Sequence, residues 1–237
     1  MLKEFAQYLV SLKDNKTYEI NGQTYSDREL CRIAPHVDRP NKITVNGLDS
    51  VVKLIQREYL GQQLPLFVRV ATPRDIEVFT ALDVMQGRNH LYVVECDAPK
   101  FQAGWREYDT AIIELRSMFI PNDGTEYLLD LLSRISKEDN VTTSDNGVTQ
   151  QVEARSGIAL KAKETIRPRV KLIPYRTFAE VEQPESEFLL RVDDDARIGL
   201  FEADGGTWKL NAKANIAGFL NSRLETLVKD GYVVVML

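Results

Sequence analysis

Three consecutive segments in the first half of the chain have the composition of β-strands. They read LFVRV (66–70), DIEVFTAL (75–82) and HLYVVECDA (90–98), and they are rich in β-branched and aromatic residues. Pro73 and Gly87 mark the turns between them. The pattern predicts three successive strands with no helix between them, which excludes a steady alternation of strands and helices.

Helical periodicity surrounds this strand series. One helix is predicted at the N-terminus. Four internal helices are predicted at about 48–59, at 106–119, from Thr125 to about 138, and at about 214–229. The second and third of these four internal helices form a helical hairpin, and Pro121-Asn122-Asp123-Gly124 separates them. Thr125 is the predicted N-cap of the third.

The remaining segments predict strands. A hairpin at 141–157 turns at Asp145-Asn146-Gly147, because Asn-Gly between alternating segments favours a tight turn. The other predicted strands are PRVKLIPYRTF (168–178), EFLLRV (187–192), RIGLFEA (197–203), TWKLNA (207–212) and YVVVML (232–237). The three that begin at 187, 197 and 207 form a meander. The last is so aliphatic that a central, doubly covered strand is expected.

These elements predict an α+β fold with mixed and antiparallel sheets. The helical hairpin lies at its centre, and the C-terminal meander, helix and strand follow. An N-terminal α+β part (1–138) and a β-rich C-terminal part (139–237) with one long helix are predicted, either as two units or as a single domain. The chain of 237 residues is long enough for either arrangement.

Charge is uneven along the sequence. The net charge of −5 excludes the overall electrostatic character of a non-specific DNA-binding protein, which requires clustered Lys and Arg. Between positions 155 and 176, however, seven Lys and Arg residues accompany one acid, Glu164. With one aromatic neighbour they form a candidate single-strand-binding surface: Arg155, Lys161, Lys163, Arg167, Arg169, Lys171, Tyr175 and Arg176. The alternative is a solvated strand face without a ligand.

Compartment and cofactors follow from what the composition lacks. Cys31 and Cys96 are expected to be buried thiols in a reducing cytoplasm, and they are too few for a disulfide framework. The N-terminus lacks the features of a signal peptide. No apolar run reaches the roughly 20 residues that span a membrane. We predict a cytoplasmic protein without cofactor or membrane contact.

A group of carboxylates provides the only candidate metal site. Asp193, Asp194 and Asp195 with Glu202 could bind a divalent cation, as in a metal-dependent hydrolase or nuclease. Asp204 lies at the far end of the intervening strand, roughly 20 Å away for a strand of about seven residues, so one ion cannot use both turns. The acids are better explained as turn and edge residues.

Two further patterns give no catalytic signature. FEADGGTWKL contains Gly205-Gly206, but we expect a hairpin turn there, with no helix N-terminus after it to hold a phosphate. His36 and His90 are the only histidines, and no serine lies in a nucleophile elbow. The sequence therefore favours a protein that is not an enzyme.

The order of several segments resembles the YfdQ-like family of phage and prophage proteins. From Val45 onward the resembling segments are VNGLDSVVKLIQREY, DIEVFTAL, GRNHLYVVECDAPKFQAGW, EYLLDLLSRI, VTTSDNGVTQQVEARSG, PYRTFAEVEQPESEFLLRV and FEADGGTWKL. The resemblance implies a protein encoded among phage early genes that acts inside the infected cell. The family supplies no catalytic residues, so the resemblance favours an accessory protein over an enzyme.

Together these observations predict a self-associating accessory protein that binds single-stranded nucleic acid, or a phage or host protein, without catalysis. The 141–157 hairpin is the predicted arm between subunits, since a polar hairpin is ordered by pairing with another strand edge. Its contact residues would be Val141, Thr143, Val148 and Gln150. The alternatives are the metal-dependent hydrolase or nuclease and a purely structural oligomer.

Overall fold

A computed structural model describes residues 2–11, 16–26, 32–33, 40–62, 64–135, 140–145, 150–156 and 159–237. The chain divides into two compact units, residues 1–40 and 41–237. The first unit contains helix α1 (Leu2–Ser11) and a sheet of strands β1 (Thr17–Ile20), β2 (Gln23–Ser26) and β3 (Arg32–Ile33). Asn21 and Gly22 join β1 to β2 with φ angles of 52° and 72°, as a two-residue hairpin turn requires.

The second unit contains all other elements. In chain order they are β4 (Ile43–Val45), α2 (Leu48–Glu58), a 3-10 turn (Tyr59–Gly61), β5 (Leu66–Thr72), β6 (Asp75–Thr80), β7 (His90–Glu95), β8 (Gly104–Arg106), α3 (Tyr108–Ser117), β9 (Phe119–Ile120), α4 (Asp123–Arg134), β10 (Asn140–Asp145), β11 (Gln150–Ser156), β12 (Ala159–Ile166), β13 (Arg169–Pro174), β14 (Ser186–Val192), β15 (Ile198–Glu202), α5 (Thr207–Arg223), α6 (Glu225–Lys229) and β16 (Val233–Met236). Helices and mixed and antiparallel sheets confirm the predicted α+β class.

The first large sheet has the strand order β16-β5-β6-β7-β4. Its three central strands are antiparallel neighbours and correspond to the predicted series, whereas β16 and β4 pair in parallel at the two edges. The prediction that the C-terminal strand is central was wrong. Only its first residue, Val233, is buried, because β16 pairs with β5 alone.

Helices α2, α5 and α6 cover one face of this sheet. Leu48, Val51, Val52 and Ile55 of α2 are buried against it, as their helical spacing predicted. A loop carboxylate caps this helix, since Glu180 accepts a hydrogen bond from the Leu48 amide at 2.7 Å. The sheet and its helices thereby form the first hydrophobic core.

The second large sheet has the order β8-β15-β14-β13-β9, with all pairs antiparallel. The helical hairpin of α3 and α4 packs with it in a second core, which includes Leu128, Leu172, Phe188 and Leu190. Asn122 is the N-cap of α4, and Thr125, the predicted N-cap, is the third helical residue of the same capping box. The predicted helical hairpin is therefore present, and α4 begins at Asp123.

The segment at 207–212 is helical, so the prediction of a third meander strand was wrong. Residues 207–223 form α5, and β8 takes the place beside β15. The Asp204 carboxylate accepts hydrogen bonds from the amides of Gly206 and Trp208 and so caps the first turn. The expectation that no helix follows the two glycines was also wrong.

A third sheet consists of β10, β11 and β12. Its first two strands form the predicted hairpin, with Asp145 opposite Gln150 beside the connection. The connecting residues 146–149, which include Val148, lie outside the described part of the chain. Residues 136–139 also lie outside it, and the predicted division at 138, within the second unit, stays a prediction.

Candidate functional site

The predicted basic stretch separates into three places. Arg155 lies in β11, and Lys161 and Lys163 lie in β12, where only the backbone is described. Arg167, Arg169 and Lys171 are exposed. Arg169 and Lys171 share one side of β13, whereas Arg167 precedes this strand. The last arginine of the stretch, Arg176, lies elsewhere and is buried.

The exposed side of β13 is largely neutralised by its neighbours. Arg169 forms an ion pair with Glu187 at 2.5 Å, and Lys171 forms one with Glu185 at 3.1 Å. The Arg167 guanidinium lies over the Tyr127 ring, 4.4 Å from its centre. Two of the three exposed cations on this side therefore already have carboxylate partners, which weakens their attraction for phosphate.

The hairpin residues contact their own chain. Thr143 donates hydrogen bonds from its amide and hydroxyl to Asp194, at 2.9 and 2.7 Å. The Gln150 side chain is buried and bonds both to the carbonyl and to the amide of Val192. Val141 lies in β10, and its side chain lies outside the described part. The role of these residues between subunits stays a prediction.

The four candidate metal ligands already have partners within the chain. Asp193 and the exposed Asp195 both pair with Arg197, at 2.7 and 3.6 Å. Asp194 accepts from Thr143, and Glu202 holds Arg176. The hydrogen bonds from Thr143 lower the pKa of Asp194. Within the described residues, no group of three or more His, Cys, Asp or Glu is placed to hold a metal ion.

The face of the first sheet opposite helices α2, α5 and α6 carries a row of rings that was not predicted from the sequence. Phe67, Phe79 and His90 are register partners on β5, β6 and β7. Their ring centres are 5.9 and 5.5 Å apart. The Arg88 guanidinium lies 5.5 and 5.4 Å from the two phenylalanine centres. We call Phe67, Phe79 and His90 the ring row.

The ring row is accessible because the helices of this unit that form the first core pack on the opposite face. His90 is exposed and both phenylalanines are half-buried, lining a shallow cavity of about 350 Å³. Arg69 lies two residues after Phe67 on β5 and on the same face. It is exposed and forms an ion pair with Glu77 at 2.7 Å. The period of two places Phe67 and Phe79 on the face opposite the buried residues of their strands. Their alignment with His90 depends on the strand register, which the sequence does not give.

A second, larger cavity of about 560 Å³ lies where the β5–β6 turn meets α5 and β15. Its wall carries four cations, three carboxylates, two aromatic side chains and three other residues: Arg74, Lys100, Arg176, Lys209, Asp75, Glu95, Glu202, Phe101, Trp208, Thr72, Pro73 and Cys96. We call it the Arg176 cavity. The sequence placed Arg176 and Glu202 in different candidate sites, whereas the fold makes them partners.

Arg176 is held from several elements at once. Its side chain is 3% exposed, donates to Glu202 at 2.9 Å and to the Ser186 hydroxyl, and lies 3.9 Å from the Trp208 ring centre. Burial lowers the pKa of this guanidinium, while Glu202 and Asp204 oppose that change. Burial also opposes ionisation of Asp204, but the Gly206 and Trp208 amides, Ser186 and Arg176 lower its pKa overall.

Two buried donors in this wall lack acceptors. Among the described residues, no acceptor lies within hydrogen-bond reach of the Nε–H of Arg176 or the indole Nε1–H of Trp208, and the two residues are 3% and 9% exposed. A buried unpaired donor is costly, so native proteins rarely leave two of them together. This arrangement marks the cavity as a place where an acceptor is expected.

Cys96 in the cavity wall gives a pH-dependent prediction. Burial raises the pKa of its thiol, against the lowering effects of the Ala98 backbone and Arg74. The folded state thus favours the protonated thiol. The free energy of unfolding therefore falls as pH rises above the pKa of the thiol in the unfolded chain. In a Cys31→Ser variant, we expect alkylation to reach half its maximal rate at a higher pH in the folded protein than in urea. A folded midpoint at or below the urea value, near 8.5 for free cysteine, would contradict this.

No family model matches the chain, and neither a curated protein nor a solved structure matches it. Among the described residues, no helix has both the length and the apolar character needed to cross a membrane.

Proposed function

We propose that this chain is a phage-type accessory protein that binds single-stranded nucleic acid without catalysis, and that the ring row is its contact surface. The observation that carries the proposal is the alignment of three rings across adjacent strands on an accessible sheet face. Unpaired bases stack on such side chains regardless of sequence, because every base has a π face.

Charge around the ring row supports this ligand. Arg88 lies over both phenylalanine rings, and Arg69 is exposed on the same face, where each could approach a backbone phosphate. Glu77 offsets one of these charges. The site therefore depends more on stacking than on ionic contacts, which is compatible with a net charge of −5.

The test is a fluorescence-anisotropy titration of labelled oligothymidylate into the protein and a Phe67→Leu/Phe79→Leu variant. Leucine retains the apolar contacts of each half-buried position but removes the stacking face. Because stacking contributes about 1–3 kcal/mol per base, we expect the variant to bind at least about tenfold more weakly. A wild-type protein that fails to bind single strands at low salt would refute the proposal.

A matched control separates this surface from the basic stretch. An Arg167→Gln/Arg169→Gln/Lys171→Gln variant should bind almost as the wild type does. Salt dependence gives a second criterion, since each phosphate contact contributes about −0.7 to the slope of log K against log salt for single strands. If Arg69 and Arg88 of the ring-row face each contact one phosphate, the slope should be about −1.4. If the basic stretch binds instead, its six Lys and Arg residues from position 155 to 171 would give a slope of about −4.

Self-association through the 141–157 hairpin remains part of the proposal. Thr143 and Gln150 already bond within the chain, so an arm would use other atoms of the hairpin. A light-scattering mass that is a multiple of 27.0 kDa would support it, and a monomer would refute it.

A further inference from the structure

The Arg176 cavity contains polar groups that the proposed nucleic-acid surface does not use. Arg176 Nε and Trp208 Nε1 are buried donors without acceptors, and both residues line the cavity. We infer that this cavity binds the oxyanion of a ligand, a phosphate or carboxylate group. This inference goes beyond the proposed function and does not depend on it.

The charges of the wall fit an oxyanion. One of the three carboxylates is already neutralised, since Glu202 holds Arg176, and Asp75 accepts from the Thr72 hydroxyl. Arg74 donates to backbone carbonyls, at 2.7 Å to that of Cys96 and 2.6 Å to that of Ala98. Within the described residues, Arg74 forms no ion pair with a carboxylate.

The two lysines of the wall add to this excess. Within the described residues, neither Lys100 nor Lys209 forms an ion pair, and neither do the carboxylates of Asp75 and Glu95. With Arg74 included, three cations of the wall without an ion pair face two such acids. An anion in the cavity thus gains electrostatic attraction as well as hydrogen bonds.

The ligand must displace part of the wall to reach both donors, because the two nitrogens are shielded from solvent in this structure. Lys209 is the residue best placed to move. It is exposed, follows Trp208 directly, and its ammonium group lies 5.9 Å from the indole ring centre. Its movement toward the ligand would place a cation beside the bound oxyanion.

The phosphate could come from a small molecule or from a nucleic-acid backbone. Asp75 and Glu95 of the wall are register partners on β6 and β7, on the same sheet face as the ring row. Asp75 lies four residues before Phe79 of the ring row along β6, which is about 13 Å at the usual rise per residue. A strand bound on the ring row could therefore extend to the cavity, while a free phosphorylated molecule would occupy the cavity alone.

The experiment uses the two tryptophans, Trp105 and Trp208, as a matched pair. In a Trp105→Phe protein, Trp208 is the only indole, and its emission is followed while inorganic phosphate, succinate or a nucleoside monophosphate is added. We expect a saturable change with at least one of these probes. No saturable change with any of them would overturn the inference.

Calorimetry on two variants then tests the proposed donor. Trp208→Phe retains a ring beside Arg176 but removes the indole N–H, so we expect about tenfold weaker binding of the same probe, as for loss of a hydrogen bond to a charged group. Trp105→Phe should bind as the wild type does. Equal affinity in the two variants, both folded by circular dichroism, would exclude Trp208 as the donor and overturn the site.

Competition identifies the source of the oxyanion. If the probe displaces labelled oligothymidylate, the cavity takes a backbone phosphate; if both bind together, it takes a free ligand. Either result supports an oxyanion site. Failure of the oligonucleotide to bind at all would refute the proposed function alone, because the fluorescence and calorimetric titrations contain no nucleic acid.

Discussion

Replacement of Gly124 with alanine is expected to destabilise the protein by about 3 kcal/mol or more, at the upper end of the cost of overpacking. Gly124 is the second residue of α4, where the helix crosses β13. A Cβ atom at this position would lie 2.0 Å from the carbonyl oxygen of Lys171 and 3.1 Å from the Leu172 side chain. The obstacle is backbone, so either the helix or the strand must move.

The displacement would be transmitted to the second core. Asn122 donates from its side chain to the same Lys171 carbonyl, and Leu172 is fully buried. Urea denaturation followed by circular dichroism measures the change, with the midpoint falling at constant slope if the native fold is retained.

Gly218→Ala provides the control for Gly124→Ala. Gly218 lies within α5, and a Cβ atom there meets nothing within 4 Å. Alanine should therefore stabilise the protein by about 0.5–1 kcal/mol, because glycine loses more backbone entropy in a helix. If both variants shift stability in the same direction, the close contact at Gly124 does not determine its effect.

The sequence predicted best where periodicity and turn residues agreed. β-branched and aromatic residues between turn residues identified β5, β6 and β7, and helical spacing identified α2 and the helical hairpin. The prediction that the C-terminal strand is central was wrong because an aliphatic composition does not distinguish a central strand from an edge strand. Its valines pair with β5 on one side only, and Val234 is 40% exposed.

The error at 204–212 has a local physical cause. Asp204-Gly205-Gly206 is compatible with a hairpin turn, and Thr207 and Trp208 favour strands by propensity. The structure uses the same aspartate as a helix cap, through hydrogen bonds to the Gly206 and Trp208 amides. Aspartate is common both in turns and at helix N-caps, so the identity of the residue alone did not distinguish the two.

The site could not be assembled from the sequence. Arg176 was grouped with its neighbours in the chain, yet its partners Ser186, Glu202 and Trp208 belong to β14, β15 and α5. A run of cations predicts a shared surface only if every member is solvated, and Arg176 is not. The ring row likewise required the register between three strands, which alternation alone does not give.

Removal of Glu202 is expected to destabilise the protein by about 2 kcal/mol, because it leaves the buried Arg176 guanidinium without its carboxylate partner. Loss of one partner of a fully buried pair costs about 3–5 kcal/mol, and the smaller value reflects the partial exposure of Glu202. Its side chain is 32% exposed, against 3% for Arg176. The measurement is the free energy of urea unfolding of Glu202→Ala.

Glu187→Ala is the matched variant, since Glu187 also lies on a strand of the second sheet and pairs with an arginine. Its pair with Arg169 is exposed, at 37% and 58%, so its loss should cost no more than about 1 kcal/mol. Adding Arg176→Met to Glu202→Ala should recover part of the lost stability, because it removes the uncompensated charge and keeps an apolar side chain beside Trp208. Equal costs for the two glutamates, with no recovery in the double variant, would show that Arg176 tolerates burial without Glu202.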